Sequence, residues 1–186
     1  MRRVLVGAAV LALGLGSLAG CSGSAQPHSG AAGVPTREPQ PPAVAGGSCQ
    51  LLDYDEIAKD LGLTFDVAAA SQVEQTYTCV LEREGAPLPD LTFSIALVSK
   101  LDIPTFKSKL IPSGAAVIGD LGKIGYSRTV PAGNGAGPTI EIGWLAGNQR
   151  LIILKCRLAA DAPAGDAPAM LPKLLVLARR IDLTSI

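Results

Sequence analysis

The chain lacks most of the side chains on which common hydrolase mechanisms depend. Its one histidine, His28, lies in a stretch rich in glycine, proline, alanine and serine. The region after residue 48 therefore has no histidine to serve as the base of a Ser-His-Asp or Cys-His site, or to ligate zinc. Neither a G-x-S-x-G motif nor an S-x-x-K motif occurs. These absences predict a protein that is not an enzyme and that uses no cofactor or metal ion.

Basic runs and aromatic residues are also scarce. Aromatics make up 4% of the chain and the formal net charge is zero, so the pattern typical of nucleic-acid binding is missing. Residues 49–90 carry nine acidic and two basic side chains, whereas residues 91–186 carry six acidic and eleven basic. We expect these charges to intermix on one surface. The alternative is a dipolar molecule whose basic side meets anionic lipid or a partner. Carboxylate-only catalysis is the one enzymatic alternative, with candidates Glu82, Glu84, Asp120, Glu141, Asp161 and Asp166.

No hydrophobic run in the chain reaches the length of a membrane-spanning helix. Arg2 and Arg3 precede 15 uncharged residues that end at Leu18, and a spanning helix needs about 20 apolar residues. This pattern is typical of a secretory signal peptide. The sequence Leu18-Ala19-Gly20-Cys21 resembles the bacterial lipobox. The resemblance implies that residues 1–20 are removed and that Cys21 becomes a lipidated N-terminus on the outer face of the plasma membrane. The alternative is an ordinary signal peptide with an incidental cysteine.

The segment after Cys21 has the composition of a linker. Of residues 22–48, 19 of 27 are glycine, proline, alanine or serine. Such a segment buries too little apolar surface to offset its ordering entropy. We therefore expect residues 21–48 to be the lipidated N-terminus and a flexible linker, and residues 49–186 to be a single folded domain.

Three cysteines follow the anchor: Cys49, Cys79 and Cys156. Disulfides form in the compartment that an exported chain enters, and three cysteines allow three single pairings. We favour a Cys49–Cys79 bridge because it would tie the start of the domain to an early strand. The Cys79–Cys156 pairing is the alternative. In the favoured pairing Cys156 is a buried thiol, and no histidine is available to activate it.

Hydrophobic periodicity predicts an α+β domain. Asp53 is expected to cap the first helix, which accounts for the nearby acidic residues without a metal site. Three helices are expected over residues 51–62, 102–111 and 169–181. About five strands are expected over residues 75–84, 91–99, 126–130, 139–146 and 151–158. Short connections make a mainly antiparallel sheet, with the helices packed mostly on one face.

Several motifs together resemble a group of actinobacterial envelope lipoproteins. They are SCQLLDYDEIAKDLG, TYTCVLE and IGDLGKIGY, followed by two strands and a C-terminal helix, and they cover most of residues 48–182. Members carry a small domain of unknown function, with one cysteine before the first helix and another in the first strand. Val80 and Leu81 stand where members often have a tryptophan. The resemblance implies the Cys49–Cys79 bridge and an envelope location, and it supplies no activity.

Two functions agree with these features. The first is a non-catalytic binding or accessory module that contacts an envelope protein or a cell-wall partner through an exposed sheet face. The alternative is a carrier or sensor of an apolar, lipid-like ligand, suggested by a surplus of apolar residues on the strands. The binding residues expected for this alternative are Trp144, Leu151 and Ile153. A sheet buried on both faces at one end explains the same residues without a ligand. Neither function involves nucleic acid.

Overall fold

A computed structural model describes residues 38–184, with the side chains described through residue 182. Two 3₁₀ turns open this range, over Pro42–Ala45 and Gly47–Leu51. The helices are α1 (Tyr54–Leu61), α2 (Ile103–Thr105), which continues as the π-helical turn Phe106–Leu110, and α3 (Asp166–Thr184). The strands are β1 (Val67–Val73), β2 (Thr76–Arg83), β3 (Ala86–Leu97), β4 (Ala116–Ile118), β5 (Ile124–Val130), β6 (Thr139–Leu145) and β7 (Arg150–Arg157).

The fold is α+β, with three helices and one antiparallel sheet, as expected. The described part of the sheet has seven strands in the order β1-β2-β3-β7-β6-β5-β4, so the expectation of about five was too low. The two missed strands are the sheet edges. β1 reads VAAASQV and is almost wholly exposed, so it lacks the apolar alternation of a half-buried strand. β4 has three residues and lies in a glycine-containing segment.

The structured chain starts before the expected boundary at residue 49. The turns over residues 42–51 lie against β1 and β2, and Pro42 and Ser48 are buried. Gly47 has a φ of 53°, a left-handed conformation that favours glycine. The last residues of the expected linker are therefore part of the domain, because this segment carries Cys49 to its partner on the sheet. The signal peptide, Cys21 and the rest of the linker lie outside the described residues.

The sheet carries a separate apolar cluster on each face. Trp144 and Leu145 are neighbours on β6 and therefore point to opposite faces. Trp144 belongs to the larger cluster, which α1 and α3 complete through residues such as Ile57 and Leu174. Leu145 belongs to a smaller cluster with Phe106 of the helix that follows α2. Two helices thus share one face, and the α2 segment covers part of the other.

Caps and polar contacts fix the two longer helices. Asp53 caps α1, with its Oδ1 atom accepting hydrogen bonds from the N–H groups of Asp55 and Glu56 at 2.9 and 3.0 Å. Near the end of α3, Asp182 accepts from Trp144 Nε1 at 2.9 Å and from the Gly122 N–H at 3.2 Å. These bonds join α3 to β6 and to the loop before β5. None of the helices in the part of the chain described is both long and apolar enough to cross a membrane.

Candidate functional site: an open sheet face and a free edge

We use the term open face for the side of the sheet opposite α1 and α3. The α2 segment covers one end of it, where the Phe106 ring lies 6.1 Å from the Tyr126 ring, centroid to centroid. Both aromatic side chains are buried, together with Ile124 and Leu145. The rest of this face, across β2, β3 and β7, remains half-exposed. Its central residues are Thr78, Val80, Thr92, Ser94, Ile153 and Lys155.

A buried carboxylate organises the covered border of the open face. Glu141 is 3% exposed, and strand register places Arg128 and Lys155 directly beside it on β5 and β7. Arg128 donates two hydrogen bonds to it, at 2.9 and 3.1 Å, and Tyr126 Oη donates one at 2.8 Å. Lys155 Nζ lies 3.1 Å from the second carboxylate oxygen. The four residues form a fully paired cluster, which we call the Glu141 cluster.

The contacts of the Glu141 cluster shift the pKa values of Glu141 and Tyr126 in opposite directions. Burial by itself would raise the pKa of Glu141, but hydrogen bonds from Arg128, Tyr126 and Lys155 outweigh burial and lower that pKa below its usual 4.5. Burial and the bond to Glu141 raise the pKa of Tyr126 far above its usual value. The carboxylate is therefore ionised and the phenol neutral at neutral pH. This arrangement leaves neither group available as a general base or nucleophile.

A close backbone approach fixes the position of Tyr126. Its ring lies across Gly143, and a Cβ atom at that position would come within 2.5 Å of the ring. Register pairs the two residues directly, so the aromatic ring fills the space left by the glycine. Any side chain at position 143 would displace the phenol from Glu141.

A second buried carboxylate lies at another border of the open face. Asp90 is fully buried, and Arg157, which pairs with it across β3 and β7, bonds both of its oxygens. The contact with Asp90 raises the pKa of Arg157. Elsewhere on this face, Thr78 of β2 and Ser94 of β3 form a hydroxyl–hydroxyl bond of 3.0 Å. The open face thus carries two buried carboxylates, each paired with at least one cation, and a bonded pair of hydroxyls.

The three residues suggested for an apolar ligand are not brought together. Trp144 is fully buried on the face of α1 and α3, whereas Leu151 and Ile153 are half-buried on the open face. Leu151 packs against the cluster of Phe106 and Leu145. The apolar stripe that suggested a ligand is therefore covered at this end by the chain's own α2 segment.

Three surface cavities lie elsewhere. One of about 340 Å³, the edge cavity, lies between residues 38–45 and the start of β1. Another of about 460 Å³ lies between the end of α1 and the start of α3. The third, of about 430 Å³, lies between residues 43–57 and α3. Trp144, Leu151 and Ile153 line none of the three.

The cysteines adopt the favoured pairing. Cys49 and Cys79 form a disulfide with a Cα–Cα distance of 5.0 Å, and Cys156 is a fully buried free thiol. Burial, aided by the charge of Asp90, raises the pKa of Cys156 to about 12. Its position between Lys155 and Arg157 does not activate it, because both cations point to the opposite face of the strand.

We expect Cys156 to be unreactive in the folded protein. In a Cys21→Ser chain at about pH 8, a disulfide reagent such as DTNB should modify the folded state at least about a hundredfold more slowly than free cysteine. The reason is that little of the Cys156 thiol is ionised and that burial keeps the reagent from reaching it. Denaturant should then reveal one thiol. Fast modification before denaturation, or three thiols after it, would contradict this arrangement.

The carboxylates considered for catalysis are dispersed. Glu84, Asp120, Asp161 and Asp166 are exposed, Glu82 is half-buried on β2, and Glu141 is sequestered in its cluster. Within the described residues, no group of three or more histidine, cysteine, aspartate or glutamate side chains is placed to hold a metal ion. The Glu141 cluster was not recognised from the sequence. A charge in the middle of the strand TIEIGWL was visible, but its partners follow only from strand register.

Comparisons with other proteins add no further assignment. No protein-family model matches the chain, and no curated protein or solved structure matches it either.

Proposed function

We propose that the chain is an extracytoplasmic lipoprotein whose domain is a non-catalytic binding or accessory module of the cell envelope. Cys21 carries the lipid, and residues 22–37 connect it to the described domain. The observation that carries the location is the sequence Leu18-Ala19-Gly20-Cys21 after a basic start and an apolar run. The Cys49–Cys79 disulfide supports it, because such bonds persist in oxidising compartments.

The case for binding without catalysis comes from the open face. Its buried carboxylates are saturated with partners, and the thiol nearest to them, Cys156, is buried on the other side of the sheet. What remains exposed is a broad surface of hydroxyl, aliphatic and paired charged groups. Such a surface offers contacts to a partner and no activated nucleophile. The envelope protein or cell-wall partner proposed here would dock on the sheet.

The anchor can be tested by replacing its thiol. We expect Cys21→Ser to move the protein from the membrane fraction to the medium and to abolish labelling by a palmitate analogue. Two acyl chains bind a bilayer firmly, and the substitution removes the thiol that would carry the first of them. Ser24→Ala serves as the matched control and should stay in the membrane fraction. A Cys21→Ser protein that remains fully membrane-bound, or intact unprocessed protein in the cytosol, would refute the proposal.

A further inference from the structure

In the described part of the chain, β1 pairs with a neighbouring strand along only one of its two edges, and the other edge is open. β1 pairs with β2 from Val67↔Glu82 to Val73↔Thr76, and it is the last strand in the sheet order. Among residues 38–184, no other segment pairs with it or forms a backbone hydrogen bond with its free side. The opposite sheet edge, β4, has three residues, so β1 offers the longer edge at roughly 23 Å.

Strand register identifies the backbone groups that face outward. The Leu97 N–H donates to the Gln75 carbonyl, so alternate residues of β2 beginning at Gln75 bond to β3. The residues between them, beginning at Thr76, therefore bond to β1. It follows that Val67, Ala69, Ser71 and Val73 point their N–H and C=O groups towards β2. Those of Ala68, Ala70 and Gln72 point to the open edge.

The sequence of β1 carries none of the residues that usually protect an edge strand. It has no proline, no charge and no irregularity in its pairing with β2. Its middle residues are Ala68, Ala69, Ala70 and Ser71, which leave room for a further strand. Val67 and Val73, at its ends, are 40% and 71% exposed.

The edge cavity makes one end of β1 acidic. Among the described residues that line it, the charged ones are Glu38, Asp66 and Glu84, and none is basic. The Asp66 carboxylate accepts a hydrogen bond of 2.7 Å from the Glu84 N–H, which holds the two residues together. Apart from Gln40, the remaining walls are prolines and small aliphatic side chains, including Pro41 and Val44. A cavity with apolar walls and acidic groups fits the aliphatic stem and cationic head of lysine or arginine.

The same charges argue against a second copy of this chain as the occupant. Antiparallel pairing of two β1 strands about Ala70 would put Asp66 of each copy opposite Glu74 of the other. Parallel pairing in register would place identical acids side by side. Like charges directly opposite destabilise a strand pair.

We propose that β1 accepts an extended segment of a partner protein as a strand added to the seven described, with a lysine or arginine of that segment in the edge cavity. The partner's backbone bonds to Ala68, Ala70 and Gln72 provide affinity, and the cation fixes the register. This inference rests on the proposed function, since it names the surface and the partner chemistry of the same binding module.

Site-specific photo-crosslinking in intact cells tests the inference on the full chain. A crosslinker is placed at Ala69 on β1, at Ser94 on the open face, or at Val176 on α3. We expect adducts from Ala69 whose attachment point, mapped by mass spectrometry, lies in a partner segment within about two residues of a lysine or arginine.

Variants separate strand addition from chance proximity. Ala70→Pro removes one outward N–H without removing a bond to β2 and should reduce the Ala69 adduct by about tenfold or more. Ala70→Ser keeps that N–H and should not reduce the adduct. Gln72→Pro provides the same block should Ala70→Pro fail to fold. Glu38→Gln with Glu84→Gln should weaken crosslinking, whereas Glu74→Gln, outside the cavity, should not.

The outcomes also separate this inference from the proposed function. Three outcomes would overturn strand addition and leave a binding module in place. The first is crosslinking from Ser94 or Val176 alone, and the second is an adduct between two copies of the chain. The third is an Ala69 adduct that neither proline variant reduces. No protein adduct from any of the three positions would overturn the strand addition and count against a protein-binding module as well.

Discussion

Replacing both Cys49 and Cys79 with alanine should lower the free energy of unfolding by about 3.5–4 kcal/mol. The bridge spans a sequence separation of 30 residues, and the chain-entropy relation gives this value for a loop of that length. A typical domain is stable by about 5–15 kcal/mol. Loss of the bridge therefore removes a large fraction of the total, and more where the two buried positions repack poorly.

Urea denaturation of a Cys21→Ser chain measures this effect through the fluorescence of Trp144, the single tryptophan, which is fully buried. The dependence on urea should also steepen, because the unfolded chain without the bridge exposes more surface. Cys156→Ala is the matched control, since it removes a buried thiol and leaves the bridge. A loss below about 1 kcal/mol in the double variant would contradict the loop-closure argument.

Glu141→Gln should lower the free energy of unfolding by about 2–3 kcal/mol at neutral pH. The change leaves Arg128 and Lys155 without their shared counter-ion and weakens the bond from Tyr126. Removing one member of a fully buried ion pair costs about 3–5 kcal/mol. The effect here is smaller because the side chains of Arg128 and Lys155 are 34% and 40% exposed, so water screens them in part. The matched control is Asp161→Asn, which removes one negative charge from an exposed position. It should change the free energy of unfolding by less than about 0.5 kcal/mol.

At acidic pH, Glu141→Gln and the parent should no longer differ in their free energy of unfolding. The pKa of Glu141 is lower in the folded state than its usual 4.5. A group of this kind stabilises the fold at pH above its unfolded pKa, and the contribution disappears as pH falls through the folded pKa. Unfolding curves from neutral pH downward should therefore converge below about pH 4.5. Curves that remain equally far apart at the lowest pH at which the parent folds would contradict the assignment of the effect to this carboxylate.

Sequence reasoning was most successful where local signals were strong. Capping residues within one segment mark both ends of α1, at Asp53 and Gly62. Apolar alternation within single segments marks the central strands of the sheet. β1 was not predicted, because its stability comes from pairing with β2 and from contact with the turns over residues 42–51. Its own sequence carries no apolar alternation.

The candidate site depended on information that single segments do not hold. Arg128, Glu141 and Lys155 are 13 and 14 positions apart along the chain, and only the order β5-β6-β7 makes them neighbours. The same holds for the edge cavity, where Glu38 meets Asp66 and Glu84. The favoured disulfide was predictable, because few pairings existed and the geometry needed only an early strand near residue 49.

The Cys49–Cys79 bridge also determines how the domain bears mechanical load. A pull on the chain ahead of residue 49 passes through the sulfur atoms to β2, in the interior of the sheet between β1 and β3. Helix α1 and β1 lie within the bridged loop and carry none of that tension. A drag force on a tethered domain would therefore leave its most exposed strand in place instead of peeling it away.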